Sequence, residues 1–248
     1  VSEGDGALLV VRGLTKSFGG VRAVDAVDLT VAAGELLAVI GPNGCGKTTL
    51  FNLLTGQLRP DAGSVRIGGR EVAGLPPDAI AREGVGRKFQ VPSVYDELTV
   101  AENLAIARLA APKVRRSAAD SILERVGLAE RTDGPAGLLS HGQKQWLEIA
   151  MVLATRPRLV LLDEPTAGMT RAETLATIDL VRRLRDEDGV ATIVIEHDMA
   201  AVAALGGRVA AMISGRVVVE GSFETVRAHP AVIEAYLGAA APAGSPHA

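Results

Sequence analysis

The chain has 248 residues, 48% hydrophobic and 22% charged, with 26 Lys and Arg against 29 Asp and Glu and a net charge of −3. That is enough for one sizeable globular domain, or a domain with a small insert, and it provides no overall positive field for gripping nucleic acid or acidic lipid. The single cysteine, Cys45, excludes an internal disulfide framework, and no stretch approaches the roughly 20 apolar residues of a membrane-spanning helix.

Val1 to Gly6 is acidic and lacks the basic and apolar regions of a secretory signal, which fits a cytoplasmic protein. The first 70 residues carry short β-like pieces, Leu8 to Val11, Val27 to Val31 and Val65 to Ile67, broken by Gly19-Gly20 and Gly68-Gly69. They predict an antiparallel flank. Leu36 to Ile40, Leu159 to Leu162 and Ala191 to Ile195 are predominantly apolar runs of strand length, as in a parallel sheet buried on both faces. Alternation of such strands with helical spacing predicts an α/β fold, with ligands at the C-terminal ends of the strands. From about Val100 to Ala154 helical patterns take over, as in Val100 to Leu109 and Ile122 to Leu128, and predict a helical subdomain inserted over about 92–154. The tail from Gly238 is rich in Ala, Pro and Gly without any Asp, Glu, Lys or Arg, and has little reason to order.

Gly41, Pro42, Asn43, Gly44, Cys45, Gly46, Lys47 and Thr48 match G-x-x-x-x-G-K-[ST], between an apolar strand and the helix-like run Thr49 to Leu54. Glycines let the backbone wrap a polyphosphate so that N–H groups and a helix N-terminus face the anion. Lys47 is expected to reach the β and γ phosphates and the Thr48 hydroxyl to ligate Mg²⁺. Cys45 sits where its side chain need not touch phosphate.

Leu159 to Leu162 leads into two adjacent carboxylates, Asp163 and Glu164. As successive strand residues they point opposite ways, so one is expected to face Mg²⁺ and the other to act as general base on water. Gln90, after Gly86-Arg-Lys-Phe89, and His197, after the third apolar run, sit at strand ends. Ser140, in Leu139-Ser-His-Gly-Gln143, is an expected N-cap whose hydroxyl, with the N–H groups near Gly142, makes a second anion-binding helix end.

Over about residues 7 to 237 the sequence resembles the nucleotide-binding subunits of ABC transporters. Six elements follow that family's order: an aromatic A-loop residue at Phe18, the Walker A loop, a Q-loop at Gln90, the signature Leu139 to Gln143, Walker B at Leu159 to Glu164, and a switch histidine, His197. The resemblance implies an ABC ATPase fold: a P-loop NTPase core of RecA type, an antiparallel β subdomain and an inserted α-helical subdomain. It implies ATP and Mg²⁺ as cofactors. Phe18 would stack on adenine; Lys47, Thr48 and Thr49 would hold phosphates and Mg²⁺; Gln90 would approach Mg²⁺ and the attacking water; Asp163 would support the metal. Glu164 would be the base, and His197 would contact the γ-phosphate. Ser140, Gly142 and Gln143 would serve the nucleotide of a second cassette across a head-to-tail dimer.

Two positions depart from the family pattern. His141 stands where the signature usually has its first Gly, and Ala167-Gly168-Met169-Thr170 lacks the Asp that commonly closes the loop after Walker B. With Gly86 to Gln90, Leu139 to Glu148 and Glu234-Ala-Tyr-Leu-Gly238, these look like the branched-chain amino acid and amide uptake group of bacterial importers, nearest to its urea-transporting members. Such a subunit would lie on the inner face of the cell membrane. Its partners would be separate permeases, a second ATP-binding subunit, either a paralogue or a copy of itself, and indirectly a substrate-binding protein outside the membrane. The same machine carrying branched-chain amino acids is the alternative. A soluble ABC ATPase acting on DNA or ribosomes usually has paired ATPase domains or long coiled coils, and neither a second Walker set nor heptads occur here. Trp146 is read as packing, and Arg115-Arg116 as a solvated helix face.

Overall fold

The computed structural model describes residues 6–88, 94–109 and 119–238. The centre of the parallel sheet is built from the largely apolar runs. β3 (Leu36–Ile40), β7 (Leu159–Asp163) and β8 (Ala191–Ile195) are buried at every position. Their side chains alternate between two cores: Leu37, Val39, Leu159, Leu161, Ile193 and Ile195 face one, and Leu36, Val160, Leu162 and Val194 the other. β6 (Val85–Lys88), β9 (Arg208–Ile213) and β10 (Arg216–Gly221) complete a six-stranded sheet in the order β10-β9-β3-β8-β7-β6. All neighbours in it are parallel except β10, which runs antiparallel to β9 on the edge.

The expected antiparallel flank is present, with longer strands than the short apolar pieces indicated. β1 (Ala7–Phe18) and β2 (Val21–Ala32) are twelve residues each and join at Gly19-Gly20. Polar residues such as Arg12, Lys16 and Asp28 interrupt the apolar alternation, and the β1–β2 register shifts repeatedly along the pair. With β4 (Ala62–Ile67) and β5 (Arg70–Glu71) they form a sheet in the order β2-β1-β4-β5. Its apolar face packs on the parallel sheet around α1 (Lys47–Leu54), with Phe51 fully buried between them.

α2 (Pro77–Arg82) precedes β6; α3 (Val100–Leu109), α4 (Ala119–Arg125) and α5 (His141–Leu153) follow it. α3 and α4 both pack on α5, and α5 carries Leu147, Ile149, Ala150 and Leu153 into the second core. That core is closed by α6 (Arg171–Asp186) and α7 (Met199–Leu205), while α8 (Phe223–Arg227) and α9 (Pro230–Gly238) cover β9. Among the described residues no helix is long and apolar enough to cross a membrane. Gln90, the pair Arg115-Arg116 and the tail beyond Gly238 lie outside the described residues.

Candidate functional site

The phosphate-loop sequence leaves β3 at Gly41 and enters α1 at Lys47. Gly41 (φ 153) and Gly46 (φ 108) are the positions that need glycine: a Cβ would stand 2.1 Å from Met212 O at the first and 2.0 Å from Ala23 O at the second. The loop is thus pressed onto β9 and β2. Lys47 is only 6% exposed, and its Nζ donates to Gly41 O (2.8 Å) and Pro42 O (3.0 Å), backbone acceptors that satisfy a buried ammonium. Cys45 packs into the core beneath the loop, and burial raises its thiol pKa.

A cavity of about 180 Å³ opens on this loop, lined by Ala23, Asn43, Gly44, Gly46, Lys47, Thr48, Thr49, Glu164 and His197. The structure therefore brings the phosphate-loop residues together with one carboxylate and one imidazole from strand ends far apart in sequence. Phe18 is 47% exposed on the hairpin that leads to Ala23, with Lys16 Nζ 5.6 Å from its ring centroid. A larger groove, about 460 Å³, lies between β2 and β10 and holds none of the predicted residues.

The two acids differ in their surroundings, but the pleat is not the reason. β7 ends at Asp163, and Glu164 is left-handed (φ 47), its N–H donating to Ile195 O at 3.0 Å. A backbone turn separates the carboxylates, and a positive φ at a non-glycine residue is an uncommon conformation found at functional sites. Asp163 is 1% exposed; burial raises its pKa above the ordinary aspartate value, opposed by the Arg87 guanidinium at 3.3 Å. Glu164 faces the cavity, with Oε1 2.5 Å from His197 Nε2.

Behind this pair lies a buried polar frame that the sequence did not reveal. Arg87 of β6 also donates to Asn52 Oδ1 (2.6 Å) and Thr55 Oγ1 (3.3 Å), and its guanidinium stands 5.5 Å from the Phe51 ring centroid. It ties the helix after the phosphate loop to the end of β7. Its strand neighbour Lys88 points to the opposite face, with Nζ 3.7 Å from Glu148 Oε2 on α5, both side chains almost wholly buried. Glu196 accepts from Thr166 N (3.2 Å) and Thr166 Oγ1 (2.7 Å) with one oxygen and from His197 N (3.3 Å) with the other. Burial raises its pKa, and the hydrogen bonds from Thr166 oppose that. Glu196 thus links the loop after β7 to the backbone of His197.

Ser140 is the N-cap of α5 as predicted. Its Oγ accepts from Gln143 N (3.2 Å), and its own N–H donates to Gln143 Oε1 (3.0 Å), a complete capping box. The expected anion-binding helix end has a carboxylate of this chain beside it: Ser140 Oγ donates to Glu173 Oε1 at 2.8 Å, and a Cβ on Gly142 would stand 2.5 Å from Glu173. Glu173 also caps α6, accepting from Thr170 N (3.0 Å) and Thr170 Oγ1 (2.9 Å), and these bonds hold its pKa below the ordinary value. Ser140, Gly142 and Gln143 do not line the cavity at the phosphate loop.

The two departures from the family pattern touch each other. His141 Nε2 lies 3.2 Å from Ala167 O and 2.8 Å from Gln145 Nε2, and Gln145 Nε2 donates to Ala167 O (3.1 Å). A Cβ on Gly168 would sit 3.2 Å from the imidazole. The histidine in the signature and the loop after β7 form one packed unit. Trp146 donates to Thr177 Oγ1 at 2.8 Å, a structural contact between α5 and α6.

Comparison with known proteins agrees with this architecture. The family model described as "ABC transporter" matches residues 24–167, and that described as "Branched-chain amino acid ATP-binding cassette transporter" matches 216–242. The high-affinity branched-chain amino acid transport ATP-binding protein BraF of Pseudomonas aeruginosa is 41% identical over 94% of this chain and 98% of its own length. LivG of Escherichia coli K12, a protein of the same description, is 38% identical over the same shares. Among solved structures, the ADP conformation of an ATP-binding cassette of an ABC transporter superposes with a TM-score of 0.86 at 30% identity, covering 94% of this chain and 99% of that one. A dimeric post-hydrolysis cassette bound to ADP and Pi gives 0.76 at 25% identity, covering 87% and 98%. With a family model matching more than half its length and relatives aligned almost end to end, this chain belongs to the ABC transporter family, as one of its ATP-binding cassettes and an ATPase.

Proposed function

We propose that this cassette hydrolyses Mg-ATP at the loop between β3 and α1 and thereby drives uptake of a small solute through separate membrane permeases. The observation that carries the reading is the meeting of Lys47, Thr48, Glu164 and His197 around one cavity. Lys47 and the N–H groups of the loop hold the phosphates, and Phe18 stacks on the adenine. Among the described residues no three His, Cys, Asp or Glu side chains gather as a metal site. Thr48, Gln90 and Asp163 would be the protein groups that hold a divalent ion beside the nucleotide phosphates. Mg²⁺ supplies neutralisation of phosphate charge. Thr49 supports the phosphates beside Thr48.

Glu164 is the general base. It takes a proton from the attacking water as the water oxygen bonds to the γ-phosphorus and the β–γ bridging bond breaks, leaving ADP and phosphate. His197, held through its backbone by Glu196, keeps the carboxylate aimed into the cavity and meets the γ-phosphate. A cavity of about 180 Å³ is smaller than the roughly 300–1,000 Å³ of complete small-molecule sites, which supports a site finished by a second surface. That surface is the Ser140, Gly142 and Gln143 end of α5 on a second cassette, a paralogue or another copy of this chain. The Ser140–Glu173 hydrogen bond then opens when Ser140 engages the partner's phosphate. The helical subdomain spans about 92–154 within a cassette of residues 7–237.

For the cargo, the similarity to BraF and LivG, both branched-chain amino acid transport proteins, and to the branched-chain amino acid family model over 216–242 favours branched-chain amino acids over the urea that the motif resemblance pointed to. The cassette sits on the inner face of the membrane, with a substrate-binding protein outside it and no nucleic acid among its partners. Uptake of labelled leucine and labelled urea is to be compared in host cells carrying the intact gene or Glu164→Gln. Loss of leucine uptake alone supports the reading. Loss of urea uptake alone moves the cargo, and no loss of either removes the transport role.

A further inference from the structure

The motif Glu234-Ala-Tyr236-Leu-Gly238 has no part in the chemistry above, yet its tyrosine reaches the phosphate loop. Tyr236 Oη accepts the Gly41 N–H at 3.0 Å, across 195 positions of sequence. Gly41 lies one residue past the end of β3 and outside the β3 registers with β8 and β9. On the other side of the same residue, Gly41 O accepts from Lys47 Nζ at 2.8 Å. One residue therefore connects the C-terminal helix to the lysine of the loop, while Met212 O closes off its Cα. The ring is anchored rather than loose: Tyr236 packs on the cluster of Ala38, Ile40, Val202, Val209, Ala211, Val226 and Val232, which joins β3 and β9 to α8 and α9.

We propose that Tyr236 is a positioning residue of the nucleotide site, holding the first peptide of the phosphate loop and so coupling α9 to nucleotide binding. The proposal rests on the reading that this loop holds ATP. Without the phenol oxygen, the Gly41 N–H loses its acceptor, and the loop start gains freedom that nucleotide binding must remove again. By linkage, if docking of α9 on the loop favours nucleotide binding, bound nucleotide favours docking of α9 by the same free energy.

The test uses full-length protein, Tyr236→Phe, and the slowly hydrolysed analogue ATPγS with Mg²⁺. Tyr236→Phe removes one oxygen and leaves the packed ring, and circular dichroism and thermal unfolding verify its fold. The Kd for ATPγS is expected to rise about five-fold, about 1 kcal/mol, the scale of one neutral hydrogen bond. KM for ATP is expected to rise with it while kcat stays within about two-fold, because the loop start is equally engaged in ground and transition states. In hydrogen exchange, the Gly41 amide is expected to exchange faster in the variant, and ATPγS to slow exchange along α9 in wild type but not in Tyr236→Phe. A purely structural tyrosine would lower the melting temperature and leave Kd and the α9 response unchanged; that result overturns the proposal. A fall in kcat at constant KM also overturns it. Wild-type protein that binds no ATPγS refutes instead the assignment of the loop to ATP.

Discussion

Arg87→Met tests whether the buried guanidinium maintains the acid at the end of β7. Methionine preserves apolar contact with Phe51 and removes the charge, together with the bonds to Asn52, Thr55 and Asp163. Removing one partner of a buried ion pair costs about 3–5 kcal/mol. At 3.3 Å the bond to Asp163 is longer than the 2.7–2.9 Å of tight charge-assisted pairs, so the lower end of that range, about 3 kcal/mol, is the better expectation. For a domain of this size that corresponds to a fall of about 6–12 °C in Tm. The pH dependence has a definite sign. Asp163 already titrates above its unfolded value, so its contribution favours the fold at low pH and is lost as pH rises through the folded pKa. Removing Arg87 raises that pKa further, so the deficit of the variant grows with rising pH over the range that spans the folded pKa of Asp163. Thermal unfolding of both proteins across that range is the assay. A deficit under about 2 °C, or one that does not change with pH, would show that Arg87 does not support Asp163.

Phe18→Ala is expected to weaken ATP binding by about 1–3 kcal/mol, the scale of base–aromatic stacking, and to leave the dependence of turnover on Mg²⁺ concentration unchanged; equal affinity in a titration discards the stacking role. Glu173→Gln lowers thermal stability near pH 7. Because its folded pKa lies below the ordinary value of 4.5, that stability is present above the unfolded pKa and lost on acidification, so the gap from wild type closes as pH falls through the folded pKa. A gap of constant size would contradict the helix-bridging role. His141→Gly restores the common signature residue and removes the contact with Ala167 and Gln145. Faster hydrogen exchange is expected across 167–170, and unchanged exchange there would separate the two departures.

What the sequence made legible was local. Strands β3, β7 and β8 are predominantly apolar because both faces of a parallel strand are buried, and a loop with Gly41, Gly46 and Lys47 carries its geometry in residue type. The capping box at Ser140 and Gln143 is likewise a spacing of three residues. The frame behind the acids has no such signature. Arg87 meets Asp163 across 76 positions, Glu196 meets Thr166 across 30, and Tyr236 meets Gly41 across 195, pairings that exist only once the sheet order is set. Glu173 had a visible signal, a Thr-x-x-Glu capping pattern at Thr170, but not its second bond to Ser140. Alternation along a strand also misdescribed Glu164, because the strand ends one residue earlier in a turn that propensity does not reveal.

We propose Glu164 as the base that activates water for ATP hydrolysis. The most direct test of this role is ATP binding and turnover by purified wild-type and Glu164→Gln protein in the presence of Mg²⁺. Nearly equal ATP affinity is expected, with a kcat lower by about 10²–10⁴-fold, the contribution of a positioned general base. Turnover that survives the substitution unchanged would contradict this role and remove Glu164 from the reaction.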